Sequence, residues 1–262
     1  AAHVPHLDGS GEVADYLRGV TNARVAMGGL FASGFCQRDG NAIYFKTMQR
    51  FDARQRTRRL SEPESPAVAR WLAAREALGP DIELMIDAHG TCSLPEAKRL
   101  MRLVEGANLR WFEEPTPLDD HAAAAELRAT TDVPIAVGES LSTRFDFADV
   151  LRLRAADVLQ PDVALVGGIT EAKRVATLAE TAQVELAPHL WGSAVSYLAG
   201  LHVAFASPAS RILEVSLGGN PLLRQLPEVE TAVTDGGVDA PTEPGLGFRP
   251  RRDLLEEWTV PL

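Results

Sequence analysis

Three short apolar runs in this chain each end abruptly in a carboxylate: Glu83-Leu84-Met85-Ile86-Asp87, Leu109-Arg110-Trp111-Phe112-Glu113 and Pro134-Ile135-Ala136-Val137-Gly138-Glu139. The acids are evenly spaced, since 113 − 87 and 139 − 113 both equal 26. That interval suits a buried parallel strand followed by a helix and two loops, because the crossover alone takes about a dozen residues or more. Strands of this kind closed into a barrel bring their C-terminal ends to one mouth. Three carboxylates meeting there repel one another unless a hard cation joins them, and Mg²⁺ takes oxygen ligands of this sort. Any one of these acids, taken alone, reads sooner as a helix cap or a solvated loop residue than as a metal ligand. Three in register with an even period read as metal ligands, which makes Asp87, Glu113 and Glu139 the candidates.

The later apolar runs also end in reactive residues: Gln160-Pro161-Asp162, Ala187-Pro188-His189 and Leu213-Glu214. Their spacing continues the rhythm, with 189 − 162 = 27 and 214 − 189 = 25. Asp162 and His189 are therefore expected at one level on adjacent strands. A carboxylate bonded to one imidazole nitrogen fixes the tautomer and raises the basicity of the other, which is a device for moving a proton. A lone histidine after a strand is more often structural, but an aspartate neighbour and three acids beside it favour the chemical reading.

The elements that must hold these residues follow from the same pattern. The 262 residues match the ~250 typical of one (β/α)₈ barrel and suffice for a substantial core. Strands are expected at 24–30, 42–48, 83–87, 109–113, 134–139, 158–161, 185–187 and 211–215. Helices are expected at 66–78, 93–104, 122–130, 147–153, 170–183 and 193–206, with Ser93 as an N-cap. Alternation this regular favours a parallel barrel over an open sheet. The first two strands fit poorly, because about ten residues between them are too few for a parallel crossover. The expected organisation is an N-terminal remnant over 1–23, a barrel over 24–216, and a Gly- and Pro-rich tail over 217–262 that packs back toward a cap.

Bulk properties narrow the partners. A net charge of −10 argues against nucleic acid, whose phosphates need a basic face. Cys36 and Cys92 form neither a disulfide framework nor a zinc pattern, so a reducing cytoplasm is the expected setting. No apolar run approaches ~20 residues, so no membrane span is expected, and the first residues lack a signal-peptide core.

Met85-Ile86-Asp87, Trp111-Phe112-Glu113-Glu114-Pro115, Gly138-Glu139-Ser140, Gln160-Pro161-Asp162 with Gly167-Gly168-Ile169-Thr170, and Ala187-Pro188-His189 together resemble the mandelate racemase subgroup of the enolase superfamily. The resemblance implies a modified (β/α)₈-type barrel, with the family's N-terminal α+β capping domain mostly missing from these residues. It also implies Mg²⁺ held by Asp87, Glu113 and Glu139, a small carboxylate substrate, and a homo-oligomer. His189, oriented by Asp162, matches the family's base or acid, and Glu214 matches the group that hydrogen-bonds a substrate carboxylate oxygen. In this superfamily a Lys or His base works beside one or two Mg²⁺ ions.

Lys46 departs from the family pattern. The family carries Lys-x-Lys on the second strand, with the second lysine as the opposite-face base; here the stretch is Tyr44-Phe45-Lys46-Thr47-Met48. If Lys46 matches the first lysine, Met48 replaces the second; if it matches the second, Tyr44 replaces the first. Residues 44, 46 and 48 share one face by strand alternation. His89, two residues beyond Asp87, is expected on the face that carries Asp87, in contact with substrate or behind it. Glu114 is expected to face away from the site. Arg144 is expected either to reach a substrate carboxylate or to pair with Asp146.

One secure His–Asp pair facing an uncertain lysine favours an acid-sugar dehydratase. Such an enzyme removes the proton alpha to a carboxylate and expels the beta hydroxyl, giving a 2-keto-3-deoxy acid. Elimination can manage with one competent group, whereas racemisation needs one on each face of the planar intermediate. The alternatives are a racemase or epimerase of a 2-hydroxy or amino acid derivative, and a catalytically impaired metal- and ligand-binding barrel.

Overall fold

A computed structural model of the protein describes residues 32–37, 42–46, 66–216, 220–228, 233 and 237–259; over 32–46 it describes backbone only. Eight strands form one sheet: β1 (Ala32–Gln37), β2 (Ala42–Lys46), β3 (Glu83–Asp87), β4 (Leu109–Glu113), β5 (Ile135–Val137), β6 (Val158–Leu159), β7 (Glu185–Leu186) and β8 (Ile212–Ser216). Their order is β7-β6-β5-β4-β3-β2-β1-β8. The backbone N–H of Leu186 donates to the carbonyl of Ala209 at 3.0 Å, and Leu186 pairs in parallel with Ser210 just before β8. That link joins the two ends of the sheet into a closed barrel. β2 to β7 run parallel, while β1 runs against both of its neighbours, β2 and β8.

The reversed strand corrects one expectation and settles its difficulty. β1 lies at Ala32–Gln37, within the stretch read from sequence as a connection. The strand expected at 24–30 lies outside the described residues, as does the whole of 1–23. An antiparallel pair can be joined by a tight hairpin, so the few residues between β1 and β2 suffice where a parallel crossover would not.

Helices alternate with the parallel strands: α1 (Pro66–Leu78), α2 (Leu94–Val104), α3 (His121–Arg128), α4 (Thr143–Leu153), α5 (Val163–Val166), α6 (Gly168–Ala182) and α7 (Ala194–Phe205). α2 begins as its sequence suggests, with the Ser93 N–H and hydroxyl both donating to Glu96 Oε2 at 2.9 and 2.5 Å. Beyond β8 the described residues include α8 (Pro221–Arg224) and α9 (Arg252–Trp258). Leu223 of α8, with Leu246 and Phe248, packs on Leu190 and on Tyr197, Leu198 and Leu201 of α7.

Side-chain alternation divides the core into two regions. Leu84, Ile86, Leu109, Phe112 and Ile135 point outward and pack against Val68, Trp71, Leu100 and Val104 of α1 and α2. A second outer cluster joins Phe147, Val150, Leu159, Val175 and Leu186. Inside the barrel, Met85, Trp111, Ala136, Val158 and Ile212, each from a different strand, form one apolar layer with Ala187, which directly follows β7. Strands buried on both faces read as continuous apolar runs, which is why β3 and β4 were legible as such.

Candidate active site

Two residues past each member of the inner layer, the barrel interior changes character. The residues there are Asp87, Glu113, Gln160, His189 and Glu214, with Glu139 reached just beyond β5. All are buried, and Asp87 is wholly inaccessible. The period of two along a strand places a rim residue on the same face as the core residue below it.

Asp162 and His189 form a tight pair, with His189 Nδ1 2.7 Å from Asp162 Oδ2. Asp162 lies beyond β6, where its other oxygen accepts the Ala164 N–H at 2.7 Å and caps the short helix α5. One carboxylate thus anchors itself with one oxygen and orients the imidazole with the other. The far nitrogen of that ring, Nε2, faces Glu139 Oε2 at 3.5 Å and Glu214 Oε2 at 3.8 Å. Glu214 is held in turn by the Trp191 indole N–H at 2.7 Å and the Leu190 N–H at 3.3 Å. The His189 and Trp191 rings stack nearly parallel, 11° apart, with centroids 6.5 Å from each other.

Next to this pair and sharing Glu139 with it, Asp87, His89 and Glu139 each offer a ligand atom within 4.8 Å of the others. Carboxylate oxygens gathered this closely could hold a hard dication. Glu113 is paired with Asp87 across β3 and β4. Its Oε2 accepts from Gln160 Nε2 at 2.6 Å and from Trp111 Nε1 at 3.2 Å. The sequence points to Asp87, Glu113 and Glu139 as ligands; the group that gathers among the described residues has His89 where Glu113 is expected, with Glu113 on the strand beside Asp87.

His89 reaches that group by a route the alternation rule does not contain. β3 ends at Asp87, and His89 adopts a left-handed backbone with φ 50°. Asp87 Oδ1 accepts the His89 N–H at 2.6 Å, an Asx turn that folds the chain back over the rim. His89 Nδ1 then lies 3.0 Å from Glu139 Oε1 and 3.6 Å from Glu114 Oε2. Glu114 is also left-handed, with φ 39°, and its buried carboxylate turns toward His89 rather than away from the site. Non-glycine residues in this region of φ, ψ space cluster where function imposes local strain. Gly138 is required for a related reason: with φ 137°, a Cβ there would meet Phe147 Cε1 at 2.7 Å and the Gln160 nitrogen at 3.0 Å. A side chain at this position would displace Glu139.

Lys46 is the last residue of β2 and pairs in register with Asp87, which puts its backbone at the rim; its side chain lies outside the described residues. Arg144 does not pair with Asp146. Its guanidinium meets Glu171 Oε1 of α6 at 2.5 Å and lies 4.5 Å over the Phe145 ring. Asp146 instead accepts the Ser142 N–H at 3.0 Å, which uses it as part of the α4 start. The Arg144 backbone N–H, then Arg174 and the Arg144 charge, hold the Glu171 carboxyl below the usual range.

Gln160, Trp191 and Glu114 were not singled out as site residues from sequence. The signal for Gln160 was present: Val158 is an inward core position, so the residue two further on belongs to the rim. Trp191 and Glu114 carry no such signal, because each lies in a loop whose direction is set by contacts distant in sequence.

The family model for enolase C-terminal domain-like proteins matches residues 46–254. The D-galactarolactone cycloisomerase of Agrobacterium fabrum (strain C58 / ATCC 33970) is 36% identical over 197 residues, covering 72% of this chain and 52% of that protein. The D-galactonate dehydratase of Ralstonia pickettii (strain 12J) is 38% identical over 187 residues, covering 69% of this chain and 49% of the other. A mandelate racemase/muconate lactonizing enzyme-like protein from Rubrobacter xylanophilus DSM 9941 superposes with a TM-score of 0.68 at 39% identity, over 73% of this chain and 49% of that one. The chain spans about half the length of the curated relatives it matches. A reversed first strand, carboxylates at successive strand ends, an Asp–His pair beside them and these matches have one reading: the chain belongs to the enolase C-terminal domain-like family, in the mandelate racemase subgroup of the enolase superfamily.

Proposed function

We propose that this chain is the catalytic barrel of a Mg²⁺-dependent acid-sugar dehydratase, acting on an aldonate or aldarate. The observation that carries the reading is the His189–Asp162 pair at 2.7 Å, with His189 Nε2 turned toward the acids of the rim. The relatives' names, a sugar-acid dehydratase and a sugar-lactone cycloisomerase, support the substrate class.

The donor set fits a hard dication. Asp87 and Glu139 supply carboxylate oxygens, with Glu113 adjacent and His89 in reach. Gln160 Oε1 is buried and accepts no hydrogen bond from a described residue, a polar atom that ordered water on a cation would satisfy. Bound there, Mg²⁺ would neutralise the negative charge that gathers on the substrate carboxylate as the enediolate forms.

The chain's own residues supply the rest. His189 Nε2 takes the proton alpha to the carboxylate, and Asp162 keeps the proton on Nδ1 so that Nε2 is the basic atom. Glu214, held by Trp191 and Leu190, meets a carboxylate oxygen of the substrate where charge develops. His89, its Nδ1 anchored between Glu139 and Glu114, gives a proton to the departing beta hydroxyl. The hydroxyl leaves as water with the proton from His89, while the alpha proton stays on His189; the enol then takes a proton from His189 on its beta carbon and loses its own O–H proton to His89, which gives the 2-keto-3-deoxy acid and restores both imidazoles.

The test is incubation of the protein and Mg²⁺ with a panel of sugar acids, assayed for 2-keto acids. His189→Asn is expected to lower turnover by on the order of 10²–10⁴-fold, the range for losing a positioned acid–base group. Unchanged activity in that variant would refute the assignment. A second reading is an isomerase in which Lys46 serves the opposite face, and its support is the register that places Lys46 beside Asp87. Deuterium wash-in at the alpha carbon without 2-keto product would favour it.

A further inference from the structure

Gln160 sits one residue past the end of β6 and is only 1% exposed. Its Nε2 donates to Glu113 Oε2 at 2.6 Å. An ionised carboxylate only accepts, so the amide orientation is fixed by chemistry: the NH₂ faces Glu113 and Oε1 faces elsewhere. The Trp111 indole N–H converges on the same Glu113 oxygen from below, at 3.2 Å. Two N–H donors therefore occupy one oxygen of a carboxylate that stands beside Asp87 at the rim. Gln160 Oε1, at the other end of the amide, is buried without a donor among the described residues. A residue that only filled space would be better served by an apolar side chain, because an unsatisfied buried acceptor is costly to keep.

We infer that Gln160 is a positioning residue for the dication. Its N–H binds Glu113 Oε2 and so fixes the orientation of that carboxylate at the rim, while its carbonyl oxygen would accept from water on a cation held there. Mg²⁺ keeps several of its waters when bound by protein carboxylates, so an acceptor beside the ligand set has a donor to meet. Groups bonded to a metal ligand fix its orientation, and removing them weakens affinity by about 10–100-fold. The inference rests on the Mg²⁺ site proposed above, but not on the identity of the sugar acid.

The experiment is calorimetric titration of the full chain with Mg²⁺, with melting temperature measured in parallel without metal. Gln160→Met keeps the volume and removes both the donor and the acceptor. It is expected to weaken Mg²⁺ binding by about 10–100-fold while leaving the metal-free melting temperature near that of the wild type. Should that variant fail to fold, Gln160→Leu serves the same purpose. In a Glu113→Gln background the further change Gln160→Met should cost less than it does in the wild type, because the part of the effect that runs through Glu113 is then already disturbed. Wild-type affinity in a folded Gln160 variant, or an equal loss in the Glu113→Gln background, overturns the inference while the metal site stands. Failure of the wild type to bind Mg²⁺ overturns both. Mg²⁺ binding with no sugar acid dehydrated overturns only the substrate reading.

Discussion

The two ends of the barrel treat their acids differently. At the N-terminal ends of the strands, carboxylates are matched to guanidinium groups. Arg110 Nε lies 3.2 Å from Glu83, and the same side chain bonds Glu185 while lying over the Trp111 ring. Arg128 donates twice to Asp157 Oδ1, at 2.8 and 2.6 Å, and Asp157 Oδ2 accepts the Ile135 N–H. At the C-terminal ends the acids meet imidazoles and neutral N–H donors: His89, His189, Gln160, Trp111 and Trp191. An arginine is always charged and completes its pair permanently. A neutral imidazole or indole N–H orients a carboxylate without adding a permanent charge. One end is matched by permanent charges; under the proposed function the other would be completed by a dication.

The largest expected effect separates the ends by their response to metal. Mg²⁺ at a hundredfold excess over its Kd should stabilise the protein by about 2.7 kcal/mol, by mass action on the folded state. Glu139→Gln should abolish most of that gain, because it removes a ligand shared by His89 and His189. Melting curves with and without Mg²⁺ measure both; a variant still stabilised like the wild type would show that the rim acids do not share a cation.

Arg110→Met should do the reverse. It removes the guanidinium that meets Glu83 and Glu185 in a partly buried site, at a cost of about 1–3 kcal/mol in denaturant unfolding. Mg²⁺ affinity should be unchanged, since the side chain is at the far end of the barrel. A fall in affinity comparable to that of Glu139→Gln would erase the distinction between the ends.

The smallest effect concerns Glu171, an acid of the helical layer that is paired with arginine although it lies toward the mouth. The Arg144 N–H first, then Arg174 and the charges of both arginines, lower its pKa from 4.5. A depressed carboxyl contributes stability above its unfolded pKa and loses it as pH falls through the folded value. Melting temperature should therefore fall less steeply below pH 4.5 in Glu171→Gln than in the wild type. Identical slopes would show that these contacts carry no proton-linked stability.

Much of this was readable before any coordinates. Apolar runs of strand length with terminal acids located β3 and β4 to the residue, and the 25–27-residue rhythm placed Asp162 against His189. The reversed β1 was not readable, because a short connection only excludes a parallel crossover and does not reveal which segment pairs. Nor was Arg144, whose partner Glu171 lies 27 residues away on another helix while Asp146 lies close in sequence.

What the sequence by itself determined is the set of strand-end residues and the mouth they share, because strand alternation and crossover length are local properties of the chain. Only the tertiary structure decided which of those groups touch. The left-handed turns at His89 and Glu114 bring one imidazole among the acids, and Gln160 clasps Glu113 across strands that are separated by 47 residues. The physical reason is that neither a positive φ at a non-glycine residue nor a contact between distant loops leaves a period in the sequence; each exists only when the closed barrel holds it in place.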